Sequence, residues 1–153
     1  MINFEAARVF FGSDHPLFKM MGIDITLIDT GKAEMTMPFS MQLSDQRGAL
    51  HRGALVTLLD TTCGLAIFSA LQSMQPIATI DLRVDYLRPL PSGVGIRAIV
   101  DCVATTATVA FIVGKALAEG QEEPVATVAG SFAIGTMGPS FDSPHLAQAG
   151  VGK

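Results

Sequence analysis

One carboxylate stands alone in a long apolar stretch of this chain. The 28 residues between Arg52 and Asp81 carry a single charged side chain, Asp60. Its neighbours at helical spacing are Val56, Thr57, Cys63 and Gly64, so no Lys or Arg of the same segment can pair with it. An ionised carboxylate in such surroundings is costly unless something else solvates it. Asp60 is therefore the first candidate for chemistry, against the plainer reading of a buried acid bonded to helix amides or to a distant Arg. Eight residues upstream, Arg52 opens the apolar run. A helix starting there offers unpaired N–H groups and a partial positive charge, which suit a developing oxyanion. The two features lie about 12 Å apart along a helix axis at ~1.5 Å per residue. That is too far for both to act on one carbonyl within one subunit.

Other chemistries find little support. No Gly-x-Ser-x-Gly elbow is present, so a serine triad on an α/β hydrolase is not expected. There is no His-Glu-x-x-His, and His15, His51 and His145 are dispersed, so neither a metal site nor a cofactor is expected. Gly93-x-Gly95 is too short a pattern to argue for a nucleotide fold.

The elements that must position Asp60 follow from periodicity. Glu5 to Phe11 predicts a short helix, broken at Asp14-His15-Pro16. From Ile23 to Phe39 the pattern is a hairpin: Ile23, Ile25 and Leu27 alternate with Asp24 and Thr26, and Gly31-Lys32 marks the turn. Ser40 to Leu50 predicts a loop. The stretch from about Arg52 to Gln72 is long enough to be a helix rather than a buried strand. Four strands are expected after it. In the first, Ile80, Leu82, Val84 and Tyr86 should face a core, while Asp81, Arg83 and Asp85 face away together with Thr79. The others cover about Val94–Ala104, Thr108–Ala118 and Pro124–Ile134. A helix apolar nearly all round needs covering on most sides, and a curved antiparallel sheet wrapped around it would do so. The expected class is thus α+β.

A chain of 153 residues predicts a single domain, here residues 1–135 with a flexible tail over 136–153. Hydrophobic residues at 49% against 16% charged argue against disorder and suggest surface for an oligomer to bury. The net charge of −4 gives no general attraction to nucleic acid or an anionic membrane, so a polyanionic ligand would need a local cluster of Arg or Lys. Cys63 and Cys102 lie in apolar runs and read as buried free thiols. The run Gly53–Leu71 is almost membrane length, but Asp60 and its Thr, Ser and Gly residues argue against a span. No signal peptide is evident at the N-terminus, and a soluble cytoplasmic protein is expected.

The stretch Gly48-Ala49-Leu50-His51-Arg52-Gly53-Ala54-Leu55-Val56-Thr57-Leu58-Leu59-Asp60 resembles the signature of the hotdog-fold acyl-coenzyme A thioesterases, in particular the phenylacetate-degradation (PaaI-like) branch. That pattern has a Gly, then His-Gly-Gly three residues on, then an Asp in the central helix's second turn. Thr79 to Pro89, with its Tyr-x-x-Pro ending, is similar to the family's following strand. The likeness spans roughly Gly22 to Gly135. It implies a hotdog fold, one long helix wrapped by a curved antiparallel sheet, and hydrolysis of an acyl-coenzyme A. By position it implies Asp60 as nucleophile or general base and the amides of Arg52 and Gly53 as donors to the thioester carbonyl. His51 would have a supporting role and Thr79 would help place water. Asp45 falls where many members have Asn. The family builds its site across a dimer, so a homodimer is the expected active unit and a homotetramer the expected assembly.

Two departures stand out: His51-Arg52-Gly53 replaces His-Gly-Gly, and Asp45 replaces Asn. An Arg keeps the backbone N–H, and its guanidinium could bind a phosphate or a substrate carboxylate. A carboxylate cannot donate as an amide does, and beside Asp60 it would raise one pKa of the pair. Arg83 and Arg88, and also Arg97 and Lys115, are candidates to hold the coenzyme A phosphates. The alternatives are a hotdog hydratase or dehydratase, in which a His would be indispensable, and a non-catalytic acyl-coenzyme A binder.

Overall fold

The computed structural model describes residues 15–137 together with Ala7 and Phe11. The rest of the expected Glu5–Phe11 helix and most of the C-terminal tail lie outside the described residues. The elements run α1 (Pro16–Met21), β1 (Asp24–Asp29), β2 (Lys32–Met37), a 3₁₀ turn (Met41–Leu43), α2 (Arg52–Leu71), β3 (Ile77–Tyr86), β4 (Ile96–Thr105), β5 (Val109–Ala118) and β6 (Pro124–Ile134). The helix α1 falls where only a breaker was expected: Pro16 sits in its first turn, where a missing N–H costs nothing, and Gly22 ends it in the left-handed conformation.

All six strands form one antiparallel sheet in the order β1-β2-β4-β5-β6-β3, so β1 and β3 are its edges. The expected hotdog architecture is present: α2 packs in the concave face of the curved sheet. Its side chains Leu55, Leu58, Leu59, Leu65 and Ile67 are fully buried. The sheet meets them with small residues, Ala33, Ala98, Ala110, Ala116 and Ala126, which are buried as well and let the helix approach. Each large apolar side chain so enclosed contributes roughly 1.5–3 kcal/mol. By length and composition α2 could cross a membrane, but most of it is buried inside the fold, including every residue from Thr61 to Ser69.

Two β-bulges correct the expected alternation. In β1 the register shifts between Ile25 and Leu27, so Leu27 turns outward and Ile28 packs on the core in its place. In β3 it shifts between Thr79 and Asp81: Thr79 pairs with Phe132 and Asp81 with Ser131, leaving Ile80 as the extra residue. Ile80, expected inside, is 59% exposed. Thr79, expected outside, shares the inner face with buried Phe132, because cross-strand partners point the same way. Leu82 and Val84 do pack inward as expected.

Candidate functional site

The β3 bulge brings together two residues 19 apart in sequence. The Thr79 hydroxyl donates to Asp60 Oδ1 at 2.9 Å. This answers what solvates the lone carboxylate of α2. Asp60 is half-buried and Thr79 exposed, so the pair lies at the solvent-accessible boundary between the helix and the edge strand rather than in the core. The other helix hydroxyls nearby are spent on the backbone: Thr57 Oγ1 donates to the Gly53 carbonyl at 3.0 Å and Thr61 Oγ1 to the Thr57 carbonyl at 2.7 Å. Cys63, one turn after Asp60, is fully buried. Burial pushes its thiol well above the ordinary value, and the Asp60 charge adds to that. Cys102 is only half-buried, less than expected, and burial raises its thiol too.

At the start of α2, His51 is the N-cap residue, and its Nδ1 accepts from the Gly53 N–H at 3.0 Å. The His51 carbonyl takes the Ala54 and Leu55 amides. Among the described residues, nothing accepts from the Arg52 N–H. Of the two expected amide donors, then, Arg52 is open and Gly53 is already engaged by the cap. The Arg52 guanidinium lies over the Tyr86 ring, 4.6 Å from its centroid. Tyr86 is the site residue that sequence reasoning missed. Its signal was there: it is the only tyrosine in the chain and closes the strand after α2. The two contacts, Arg52 with Tyr86 and Asp60 with Thr79, set the first half of α2 alongside β3 and antiparallel to it.

Within one chain Asp45 makes no contact with Asp60. Its Oδ1 accepts the Arg47 and Ala49 amides and its Oδ2 the Arg47 guanidinium at 2.8 Å, closing the loop before α2. Arg47 holds the carboxyl below its ordinary value, outweighing an opposing push from burial. Nor are most of the proposed phosphate-binding cations free. Arg83 pairs with Asp85 at 3.0 Å, Arg88 with Glu123 at 3.1 Å and Arg97 with Glu34 at 3.7 Å. Lys115 alone of that group has no carboxylate partner among the described residues. A cleft of about 580 Å³ lies elsewhere, lined by Thr36, Pro38, Arg97, Glu119 and Glu122 among others. None of the residues at the start of α2 or around Asp60 borders it. Its acidic lining suits a polyanion poorly, so the Asp60–Thr79 pair beside β3 is the better candidate for chemistry.

Comparison with known proteins agrees with this geometry. The sequence profile of the thioesterase superfamily matches residues 47–125, the segment that carries the α2 cap, Asp60, Thr79 and Tyr86. A Halobacterium salinarum protein whose name proposes it as an esterase is 32% identical over 129 residues, 79% of this chain and 85% of that relative. The chain belongs to the thioesterase superfamily. Among solved structures, a Pseudomonas aeruginosa protein is 30% identical, with a TM-score of 0.75 over 85% of this chain and 97% of the other. PaaI, from the phenylacetic acid degradation operon of Escherichia coli, gives a TM-score of 0.75 at 23% identity, over 85% of this chain and 91% of its own, a likeness of fold.

Proposed function

We propose that this chain hydrolyses an acyl-coenzyme A thioester, with Asp60 as general base. The observation that carries the reading is the Thr79–Asp60 hydrogen bond. By donating to Oδ1, Thr79 fixes the carboxylate and leaves Oδ2 without a partner among the described residues. The Thr79 oxygen keeps lone pairs that can accept from a water. A water held between the two is placed to lose its proton to Asp60 as its oxygen attacks the acyl carbon. The carbonyl oxygen, becoming an oxyanion, accepts from the open Arg52 amide at the helix start. The C–S bond then breaks, the thiolate leaves, and Asp60 returns the proton to it.

The Arg52 amide and Asp60 of one chain are too far apart to share a carbonyl, so the reading includes a dimer. Among the described residues, the edge strand β3, ten residues long, pairs with β6 alone, which leaves its other side open there. Two copies joined antiparallel along β3 by a two-fold axis would set the Tyr86 end of one against the Ile77 end of the other. The Arg52 amide of one protomer would then approach the Asp60 carboxylate of its partner. The His51 Nδ1 is engaged in the cap, which suits the supporting role of that ring.

Single turnover in ¹⁸O-labelled water tests the base role. Label is expected in the released acid alone. Label in the Asp60 carboxylate would mean instead that Asp60 attacks the acyl carbon itself.

A further inference from the structure

We propose that the Arg52 guanidinium binds an anionic oxygen group of the substrate, a carboxylate on the acyl chain or a phosphate of the coenzyme. This rests on the thioesterase reading and narrows its substrate. Among the described arginines, Arg47, Arg83, Arg88 and Arg97 each pair with a carboxylate. Arg52 pairs with none. It is exposed and held on the Tyr86 ring at 4.6 Å. A ring face accepts at most part of the guanidinium's five N–H donors, and none of them is hydrogen-bonded to a carboxylate or carbonyl among the described residues, so donors that fit carboxylate and phosphate stay available. A long side chain already seated on a ring has less freedom to lose on binding. Its position matters equally. The same residue supplies the open backbone N–H. A thioester whose carbonyl lies at that amide has the near part of its acyl chain within reach of the Arg52 side chain, which favours the carboxylate; the coenzyme phosphates lie a pantetheine arm away and are the source the test must separate. The related signature has Gly here and so offers no side chain at all.

Four probes separate the two sources of anion: glutaryl- and pentanoyl-coenzyme A, which differ by a terminal carboxylate, and the same two acyl groups on pantetheine, which lacks the phosphates. Wild type, Arg52→Gln and Arg52→Lys are compared by kcat/KM. Dissociation constants are measured by calorimetry with Asp60→Asn as the background, so binding is read with or without turnover. The readout is a selectivity ratio. If the anion is a carboxylate, Arg52→Gln lowers the glutaryl-to-pentanoyl ratio on both carriers by roughly tenfold or more. If it is a phosphate, the coenzyme-to-pantetheine ratio falls by as much for both acyl groups. Arg52→Lys keeps the charge but loses the fork, so it falls between. Neither ratio moving by more than about twofold overturns the proposal, as does an altered pH profile with unchanged ratios, which would assign the guanidinium to Asp60. Hydrolysis without dependence on Arg52 sinks this inference and leaves the thioesterase reading intact. Arg52-dependent binding with no hydrolysis does the reverse.

Discussion

Replacing Thr79 by Val keeps the shape of the side chain and removes its one donor. The lost bond is 2.9 Å long and ends on a charged acceptor. Hydrogen bonds to charged groups contribute about 1.5–3 kcal/mol when well enclosed. Asp60 is half-buried and Thr79 exposed in the single chain, so solvent screening brings this to about 1–2 kcal/mol. Expressed in the transition state, that is roughly a five- to thirtyfold fall in kcat/KM. The fold should be little affected, because Thr79 is exposed rather than part of the core. The assay is thiol release from the best acyl-coenzyme A substrate, with urea midpoints measured alongside. Thr79→Ser restores the hydroxyl and should recover most of the rate. Thr79→Val within twofold of wild type, or Thr79→Ser as slow as Thr79→Val, would refute the claim that this bond positions the catalytic carboxylate.

Other expectations follow from the same geometry. His51→Ala frees the Gly53 amide and should cost about 1 kcal/mol of stability, or ~2–4 °C in Tm, while activity falls only modestly; abolished turnover in a folded variant would contradict the supporting role given to this ring. The Asp45 carboxyl is held below its ordinary value in the folded chain, so its stabilising contribution is present above the unfolded pKa of about 3.9 and fades as pH falls through the folded value. Asp45→Asn should therefore lower the urea midpoint at pH 7 and approach wild type in acid; a constant difference between pH 7 and pH 3 would contradict this. The buried Cys63 thiol, raised by its surroundings, should react with a thiol reagent only after denaturation, which a cysteine count before and after urea will check. A Cβ at Gly130 would lie 2.4 Å from the Asp81 carbonyl oxygen, just past the bulge that turns Thr79 inward. Gly130→Ala should shift β3 and reduce activity by more than Thr79→Val does; normal turnover would show that the strand can yield there.

Much of this was legible in the sequence for identifiable reasons. The apolar run from Arg52 fixed α2 because it is too long for a strand, and the Gly and Pro residues around the later strands bounded them closely. Asp60 stood out because burying charge is expensive. The facing of Thr79 was not legible, since period-two reasoning carries an error past any bulge: one extra residue, Ile80, reverses every assignment on its N-terminal side. The same effect exchanged Leu27 and Ile28 in β1. Loop geometry was equally hidden. Nothing in Ser44-Asp45-Gln46-Arg47 shows that the acid ties its own turn; that is visible only in the folded loop. Tyr86 was visible as a residue, but a cation–π contact between a helix start and a strand end depends on tertiary placement.

Thiol release from a panel of acyl-coenzyme A esters, run in parallel for wild type and Asp60→Asn, tests the central claim most directly. Wild type should hydrolyse at least one ester, and Asp60→Asn, folded and still binding it, should be slower by roughly 10²–10⁴-fold, the range for loss of a general base. Equal rates in the two proteins would contradict the account and remove Asp60 from the chemistry.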